Sequence, residues 1–241
     1  DLKDRVNNPT SFNQGHGTNF CWAAACMSYV YEKNPSGMVE AMVELYKNST
    51  FVYNNGTEEV YLNFNDFNFL KIFPEPGRKG GSFKDDRDLT NKADQMLLLT
   101  LGSNFKAYLN TDRNYDPGDQ DNITWAGGTL GKAHDLWNKF GYDVKVWGSD
   151  VLGSTIIVGD EGIKQLKNND IVFYVNGRML FHNEWWKNWS ATHYIRAKNM
   201  THDTQNSTYT FEYWDYGSWK PITVSSAKFE FSAYGLISIP R

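Results

Sequence analysis

Apolar residues recur at helical spacing in the first half of the chain and alternate with polar residues in much of the second half. Spacings of three and four residues are typical of amphipathic helices, and alternation is typical of strands with one buried face. In the first half we expect Asn34-Pro35 to end one helix and Ser36 to cap the next. The helices predicted there span 20–33, 37–47, 90–101 and 131–140.

The second half predicts strands, with one short helix at 160–167. The strands are predicted at 142–147, 170–175, 192–197, 208–214 and 228–239. Helices followed by strands indicate an α+β fold with an antiparallel sheet rather than a wound α/β sheet. We therefore expect a single domain over 1–241, mainly helical over 1–140 and mainly β over 141–241.

Two stretches carry weaker periodicity. Residues 48–88 contain Pro74, Pro76 and a glycine-rich run, and we expect an irregular surface segment that acts as a lid or a specificity insert. Residues 103–128 include the acidic loop 112–121, which begins like a calcium-binding loop. Pro117 stands where such a loop needs glycine, so we expect a solvated loop and no metal or other cofactor.

Composition narrows the functional classes. A net charge of −4 and the absence of a Lys/Arg cluster argue against nucleic-acid binding. No run of 18 apolar residues occurs, so no membrane span is expected. The 241 residues suit one domain or two lobes around a cleft, and aromatic residues, at 16%, either line such a groove or fill the core.

The chain contains only two cysteines, Cys21 and Cys26. Five positions apart on one helix, they point in different directions, so we expect no disulfide between them and a core position for Cys26. The start at Asp1 is interpreted as a mature or trimmed form. The bias toward Asn, Tyr and Lys favours a bacterial protein that is secreted or held at the cell surface, in which the six Asn-x-Ser/Thr sequons arise by chance.

Three residues in separate windows form a candidate catalytic set. Cys21 precedes Trp-Ala-Ala-Ala, His193 lies in Ala-Thr-His-Tyr-Ile, and Asp215 lies in Tyr-Trp-Asp-Tyr-Gly. A thiol attacks well as the thiolate, which a nearby imidazole and a helix N-terminus both favour. A carboxylate on the other ring nitrogen completes such a triad. Because 22 residues separate His193 from Asp215, we expect a hairpin to bring them together.

These windows resemble the papain-like cysteine peptidases, and are closest to bacterial branches with Asp as the third member. There the nucleophile opens a buried helix, and a Gln-Gly pair upstream supplies an oxyanion donor. Gln14-Gly15 stands here, with Gln14 seven residues before Cys21 where the plant enzymes have six. The resemblance implies a papain-like α+β fold, a peptide or protein substrate, and a propeptide or inhibitor as a further partner.

Other residues compete for these roles or extend them. We expect substrate contacts from His16, Gly17 and Trp22 near the thiol, and from Trp214 and Trp219, which would also shield the histidine–aspartate pair from water. His182, expected in a loop, is the main rival base, and Asp203 is the alternative acid. Of the remaining histidines, we expect His16 to contact substrate and His134 to be solvated, and His202 is a further competitor for the role of base.

Two other functions remain open on the sequence alone. The same thiol site could serve an amidase on cell-wall peptides, or a deamidase or transferase acting on a host protein. Alternatively, the aromatic segments 181–189 and 213–219 could belong to a non-catalytic module that binds a glycan or a protein.

Overall fold

The computed structural model describes residues 2–14, 19–63, 92–105, 127–150, 158–182 and 192–241. The chain divides into two compact units, Asp1–Gly141 and Tyr142–Arg241. The division falls one residue from the predicted change from helical to β structure. Within the described ranges, no helix is both long enough and apolar enough to cross a bilayer.

The described part of the first unit contains five α-helices, a short 3₁₀ turn and one hairpin. Its elements are α1 Leu2–Asn7, the 3₁₀ turn Pro9–Ser11, α2 Cys21–Lys33, α3 Pro35–Asn48, β1 Thr50–Asn54, β2 Glu59–Asn63, α4 Lys92–Phe105 and α5 Leu130–Lys139. Helix α2 buries every side chain from Trp22 to Tyr31, because its alanines allow close packing around the helix. Helix α5 ends, as predicted, where Gly141 adopts a left-handed φ of 86°.

The predicted cap of α3 is wrong. Asn34, not Ser36, is the N-cap, and its side-chain oxygen accepts a hydrogen bond from the backbone N–H of Gly37 at 3.0 Å. Pro35 then occupies the first turn, where its missing N–H costs nothing. Asn34 therefore ends α2 and begins α3.

The prediction of an irregular segment over 48–88 is also wrong in its first part, where β1 and β2 form an antiparallel hairpin. Phe51 and Tyr53 pack against Phe140, with ring centroids 6.1 and 5.4 Å apart. In the turn, the side-chain oxygen of Asn55 accepts the N–H of Thr57 at 2.9 Å. The strands are short, and the residues between their inward positions are Val52 and Tyr61, so no alternation of apolar and polar residues marked them. Residues 64–91 and 106–126 lie outside the described residues, and the predicted acidic loop 112–121 lies with them.

The described part of the second unit is built on a six-stranded antiparallel sheet with the strand order β3-β8-β4-β5-β6-β7. The strands are β3 Lys145–Gly148, β4 Asn169–Asn176, β5 Thr192–Asp203, β6 Thr208–Asp215, β7 Ser218–Ser225 and β8 Ala233–Pro240, and the helices are α6 Val158–Leu166, α7 Gly177–His182 and α8 Ser226–Ser232. The α+β class with an antiparallel sheet is confirmed.

One face of this sheet carries the apolar core of the second unit. The alternate residues Ile171, Phe173 and Val175 of β4 point to this face, together with Ile195 of β5 and Phe211 of β6. Helices α6 and α8 cover it, contributing Val158 and Phe229 to the same cluster. Because strand side chains alternate between faces, the neighbouring positions of each strand point to the opposite side.

The C-terminal strand prediction for 228–239 is wrong in its first half. Residues Ser226–Ser232 form α8, whose N-cap Ser225 accepts the backbone N–H of Lys228 at 3.3 Å. Phe229 is buried on that helix and Phe231 is 53% exposed, so their two-residue spacing imitated a strand. Only Ala233–Pro240 is a strand, and it lies between β3 and β4.

Candidate active site

His193 is the second residue of β5, a strand with neighbours on both sides. It lies opposite Val175 of β4, so its side chain points to the face that carries the apolar core. A Cβ atom on Gly177 would lie only 3.3 Å from the Cβ of His193. The glycine that begins α7 therefore leaves the space in which the histidine is held.

Asp215 is the last residue of β6, and a tight turn follows it. Tyr216 and Gly217 both have positive φ, 45° and 79°, and Ser218 pairs with Asp215 at the start of β7. A two-residue hairpin loop with both φ values positive is a type I′ turn, which matches the twist of the flanking strands. The turn thus sets where β6 ends and where the Asp215 carboxylate lies.

The two side chains meet across neighbouring strands. Arg196 pairs with Trp214, so Asp215 lies beside Ile195 and diagonal to His193 on the same face. His193 Nε2 lies 2.7 Å from Asp215 Oδ1, and the two side chains are only 14% and 11% exposed. An ionised carboxylate can only accept, so Nε2 carries the proton and the neutral ring is unprotonated at Nδ1.

Tyr216 provides the aromatic cover of this pair. Its ring stacks on that of His193 with centroids 5.6 Å apart and planes inclined by 23°. The prediction that Trp214 and Trp219 shield the pair is wrong, because they pair with each other on the opposite face of the sheet. Trp214 is buried there, and Trp219 lies beneath the Lys198 ammonium, 4.2 Å from the ring centroid. A substrate contact by Trp219 stays a prediction.

Tyr213 continues the same face two residues before Asp215. Burial raises the pKa of the Tyr213 phenol, and the negative charge of Asp215 raises it further. Its ring stacks on Phe181 of α7, with centroids 4.8 Å apart. The phenol therefore stays neutral beside the His193–Asp215 pair over the physiological pH range.

In the first unit, Cys21 is the first residue of α2 and is partly exposed, whereas Cys26 is fully buried. Neither cysteine forms a disulfide. No side chain caps α2, since Phe20 occupies the N-cap position and its carbonyl accepts the N–H of Ala24 at 2.8 Å. The thiol therefore stands where the positive end of the helix dipole stabilises a negative charge.

Gln14 is buried, with 4% of its surface exposed. The residue before it, Asn13, donates its backbone N–H to Asp94 Oδ2 at 2.9 Å. Asp94 in turn forms a bidentate ion pair with Arg5, with N–O distances of 2.8 and 2.7 Å. This buried pair ties the segment that carries Gln14 to α4. The predicted contacts His16 and Gly17 lie outside the described residues.

Trp22 is not placed as predicted. Its ring is fully buried and meets Phe105 of α4 edge-on, with centroids 6.2 Å apart. A buried ring offers no surface to a substrate, so Trp22 is a core residue. Its size and position directly after the cysteine suggested a cleft, whereas the helix turns it inward.

The residues that competed with His193 and Asp215 for the roles of base and acid lie elsewhere in the structure. His182 ends α7 rather than lying in a loop. His202, near the other end of β5, has Ser226 Oγ 3.0 Å from Nε2 and Asp160 Oδ1 3.2 Å from Nδ1. Asp203 accepts the backbone N–H groups of Gln205 and Asn206 and so builds the β5–β6 turn. His134 is 40% exposed and lies beside Asp135, as a solvated side chain would.

Sequence reasoning missed Tyr216, Gly177 and Asp94. Gly217, just after a predicted strand, was a signal for the turn that positions Tyr216, because hairpin turns of this type favour glycine where φ is positive. No sequence signal linked Asp94 to Asn13, which lie 81 residues apart.

Within the described residues, no group of three or more His, Cys, Asp or Glu side chains is arranged to hold a metal ion. No known family model matches the sequence, and no curated protein matches it significantly. The candidate site therefore rests on its own geometry, which brings together His193, Asp215 and Tyr216 in the second unit and places Cys21 and Gln14 in the first.

Proposed function

We propose that this protein is a thiol-dependent hydrolase of the papain-like superfamily that cleaves peptide bonds with Cys21, His193 and Asp215. The observation that carries the proposal is the hydrogen bond from His193 Nε2 to Asp215, which leaves Nδ1 as the basic atom of the ring. A catalytic base needs such a fixed tautomer, because only the unprotonated nitrogen can receive the thiol proton.

The second support is the position of Cys21 at the first residue of α2. A thiolate there gains from the helix dipole, and its own backbone N–H is among those that the helix leaves without an internal partner. The proposal requires that the Cys21 sulfur and His193 Nδ1 face each other in the working enzyme.

The reaction then follows two half-steps. Cys21 transfers its proton to His193 Nδ1, and the sulfur attacks the carbonyl carbon of the peptide. The oxyanion receives hydrogen bonds from the Gln14 side chain and the Cys21 N–H. His193 returns the proton to the leaving amine, giving a thioester. Water, deprotonated by His193, hydrolyses the thioester and restores the thiol.

Alkylation and a substrate panel test the proposal together. Iodoacetamide should label Cys21 far faster than Cys26, because a thiolate reacts and a buried thiol does not. The labelled protein should lose the ability to hydrolyse unstructured protein substrates such as casein. Slow labelling of both cysteines would overturn the catalytic role. Fast labelling with activity only on cell-wall peptides or on side-chain amides would redirect the same site to an amidase or a deamidase.

A further inference from the structure

A groove lies at the edge of the sheet in the second unit. Its volume is about 660 Å³. It is lined by Leu180, Phe181 and His182 of α7, by Tyr213 of β6, by Ile222–Ser225 of β7, and by Lys228 of α8. Four consecutive residues of β7 line it, although strand side chains alternate between faces. The groove therefore follows the strand itself and exposes backbone as well as side chains.

Strand β7 is the edge of the sheet, since it pairs with β6 and with no other strand in the described part of the chain. The N–H of Ser226 is directed toward the β6 side, where it meets the Ser207 carbonyl at 2.8 Å. Backbone groups alternate in direction along a strand, so Val224 and Ile222 also point to β6. The N–H groups of Thr223 and Ser225 consequently point outward, away from β6. The nitrogen of Pro221 also points outward but carries no hydrogen.

The side of the groove on the core face is apolar. Ile222 and Val224 point to that face, opposite Phe211 and Tyr209 of β6. Phe181 stacks on Tyr213 and forms the facing wall. A strand laid along β7 would place every second side chain between these residues, as alternation requires.

The charge of the groove is positive. Lys228 is only partly exposed, its ammonium makes no ion pair with any described residue, and none of the described residues that line the groove is acidic. Burial lowers the pKa of Lys228, because its charge is taken from water and no anion among the described residues compensates for this loss. An acidic side chain brought to this position would supply that anion in a protein whose net charge is otherwise −4.

We propose that β7 and α7 form a binding groove for an extended peptide, which adds to the sheet edge and places an acidic side chain beside Lys228. Backbone hydrogen bonds to Thr223 and Ser225 give the affinity, and apolar side chains together with one acidic side chain on the core-facing side of the peptide give the selectivity. The inference does not depend on the proposed hydrolysis, because none of the lining residues belongs to the candidate catalytic set.

The test uses the full chain carrying Cys21→Ala, so that a peptide probe is not cleaved, and fluorescence anisotropy. The probe is a labelled peptide in which every second residue is serine and the residues between are valine with one glutamate, compared with one in which lysine replaces that glutamate. We expect the glutamate peptide to bind at least about 10-fold more tightly, and Lys228→Glu to reverse the order. Lys167→Glu, an exposed lysine on a turn of the same unit, is the matched control and should change neither affinity.

The backbone part is tested separately. N-methylation of one alternate set of peptide amides should abolish binding and methylation of the other set should not, because only one set faces β7. Thr223→Pro should also weaken binding, and we expect the fold to accept it because the Thr223 N–H, like the nitrogen of Pro221, points away from β6. Equal binding of both methylated peptides, equal binding of the glutamate and lysine peptides, or no binding at all would overturn the proposal. Self-association of the chain that Thr223→Pro abolishes would assign the edge to a second copy instead.

Discussion

His193 Nε2 donates a hydrogen bond to Asp215 Oδ1 across neighbouring strands, and the two atoms lie 2.7 Å apart. Because this bond orients the base, removing it should lower kcat and leave KM almost unchanged. Asp215→Asn keeps an acceptor oxygen, so we expect a loss of about 10-fold, against about 10²-fold or more for Asp215→Ala. Steady-state kinetics on a peptide substrate measures both. Unchanged rates in Asp215→Ala would reduce Asp215 to a residue of the hairpin turn.

The two cysteines should respond in opposite ways to truncation. Cys21→Ala removes the proposed nucleophile from a partly exposed position, so activity should vanish while the melting temperature hardly changes. Cys26→Ala truncates a fully buried side chain, so activity should persist while stability falls by about 1 kcal/mol or somewhat more. Turnover assays and urea unfolding of both variants decide the matter. Turnover retained by purified Cys21→Ala would exclude the peptidase mechanism.

The pH dependence of thiol alkylation should separate His193 from His182. If an imidazolium stabilises the Cys21 thiolate, wild-type protein alkylates with a plateau at low pH that an isolated thiol lacks. His193→Ala should remove this plateau. His182→Ala should keep it, since His182 ends α7 and lines the groove on β7. The opposite pair of profiles would move the base to His182.

Tyr216 combines an unfavourable backbone conformation with a ring stacked on His193. Tyr216→Gly should relieve a left-handed backbone conformation at φ 45° and so raise the free energy of unfolding by about 1 kcal/mol. At the same time kcat should fall, because His193 loses the aromatic ring that stacks on it. Ser207→Gly is the matched control, since Ser207 has φ 51° in the β5–β6 turn and does not touch His193. It should gain similar stability with no loss of rate. An unaltered kcat in Tyr216→Gly would remove Tyr216 from the site.

The packing of Trp22 should make Gly128 intolerant of a side chain. A Cβ there would lie 2.4 Å from Cγ of the buried Trp22 ring, so Gly128→Ala should destabilise the protein by about 1–3 kcal/mol. The control is Gly131→Ala, three residues later and within α5, where the nearest atom to the new Cβ is Thr129 Oγ1 at 3.7 Å. It should stabilise by about 0.5–1 kcal/mol as a helix substitution. Thermal unfolding compares the two variants, and similar losses in both would show that Trp22 is not held as described.

Several elements could be read from local pattern alone. The alanine-rich run after Cys21 and the Asn34-Pro35 stop predicted α2 to within one residue. The spacing of His193 and Asp215 predicted that they would be neighbours, because a hairpin brings such positions together. These features depend on residues close in sequence, and local sequence carries that information.

Other structural features depended on packing against segments that are distant in the sequence. The alternation of Phe229 and Phe231 suited a strand, but the Ser225 cap and the core that receives Phe229 make that segment a helix. The hairpin β1–β2 is stabilised by packing on Phe140, which lies far along the chain. Propensity over a few residues is a small energy, and burial against a distant partner outweighs it.

The sequence by itself determined helices α2 to α5 of the first unit, strands β3 to β6 of the second, and the candidate nucleophile, base and acid, but it did not indicate α1, β7 or α7. Only the tertiary structure decided which aromatic side chain covers His193. Trp214 and Tyr216 flank Asp215 in the sequence. Trp214, in β6, points to the opposite face of the sheet, whereas Tyr216, in the turn, stacks on His193. Local pattern reports that a side chain is buried, whereas its partner is set by strand register and turn geometry, which arise from pairing across the whole sheet.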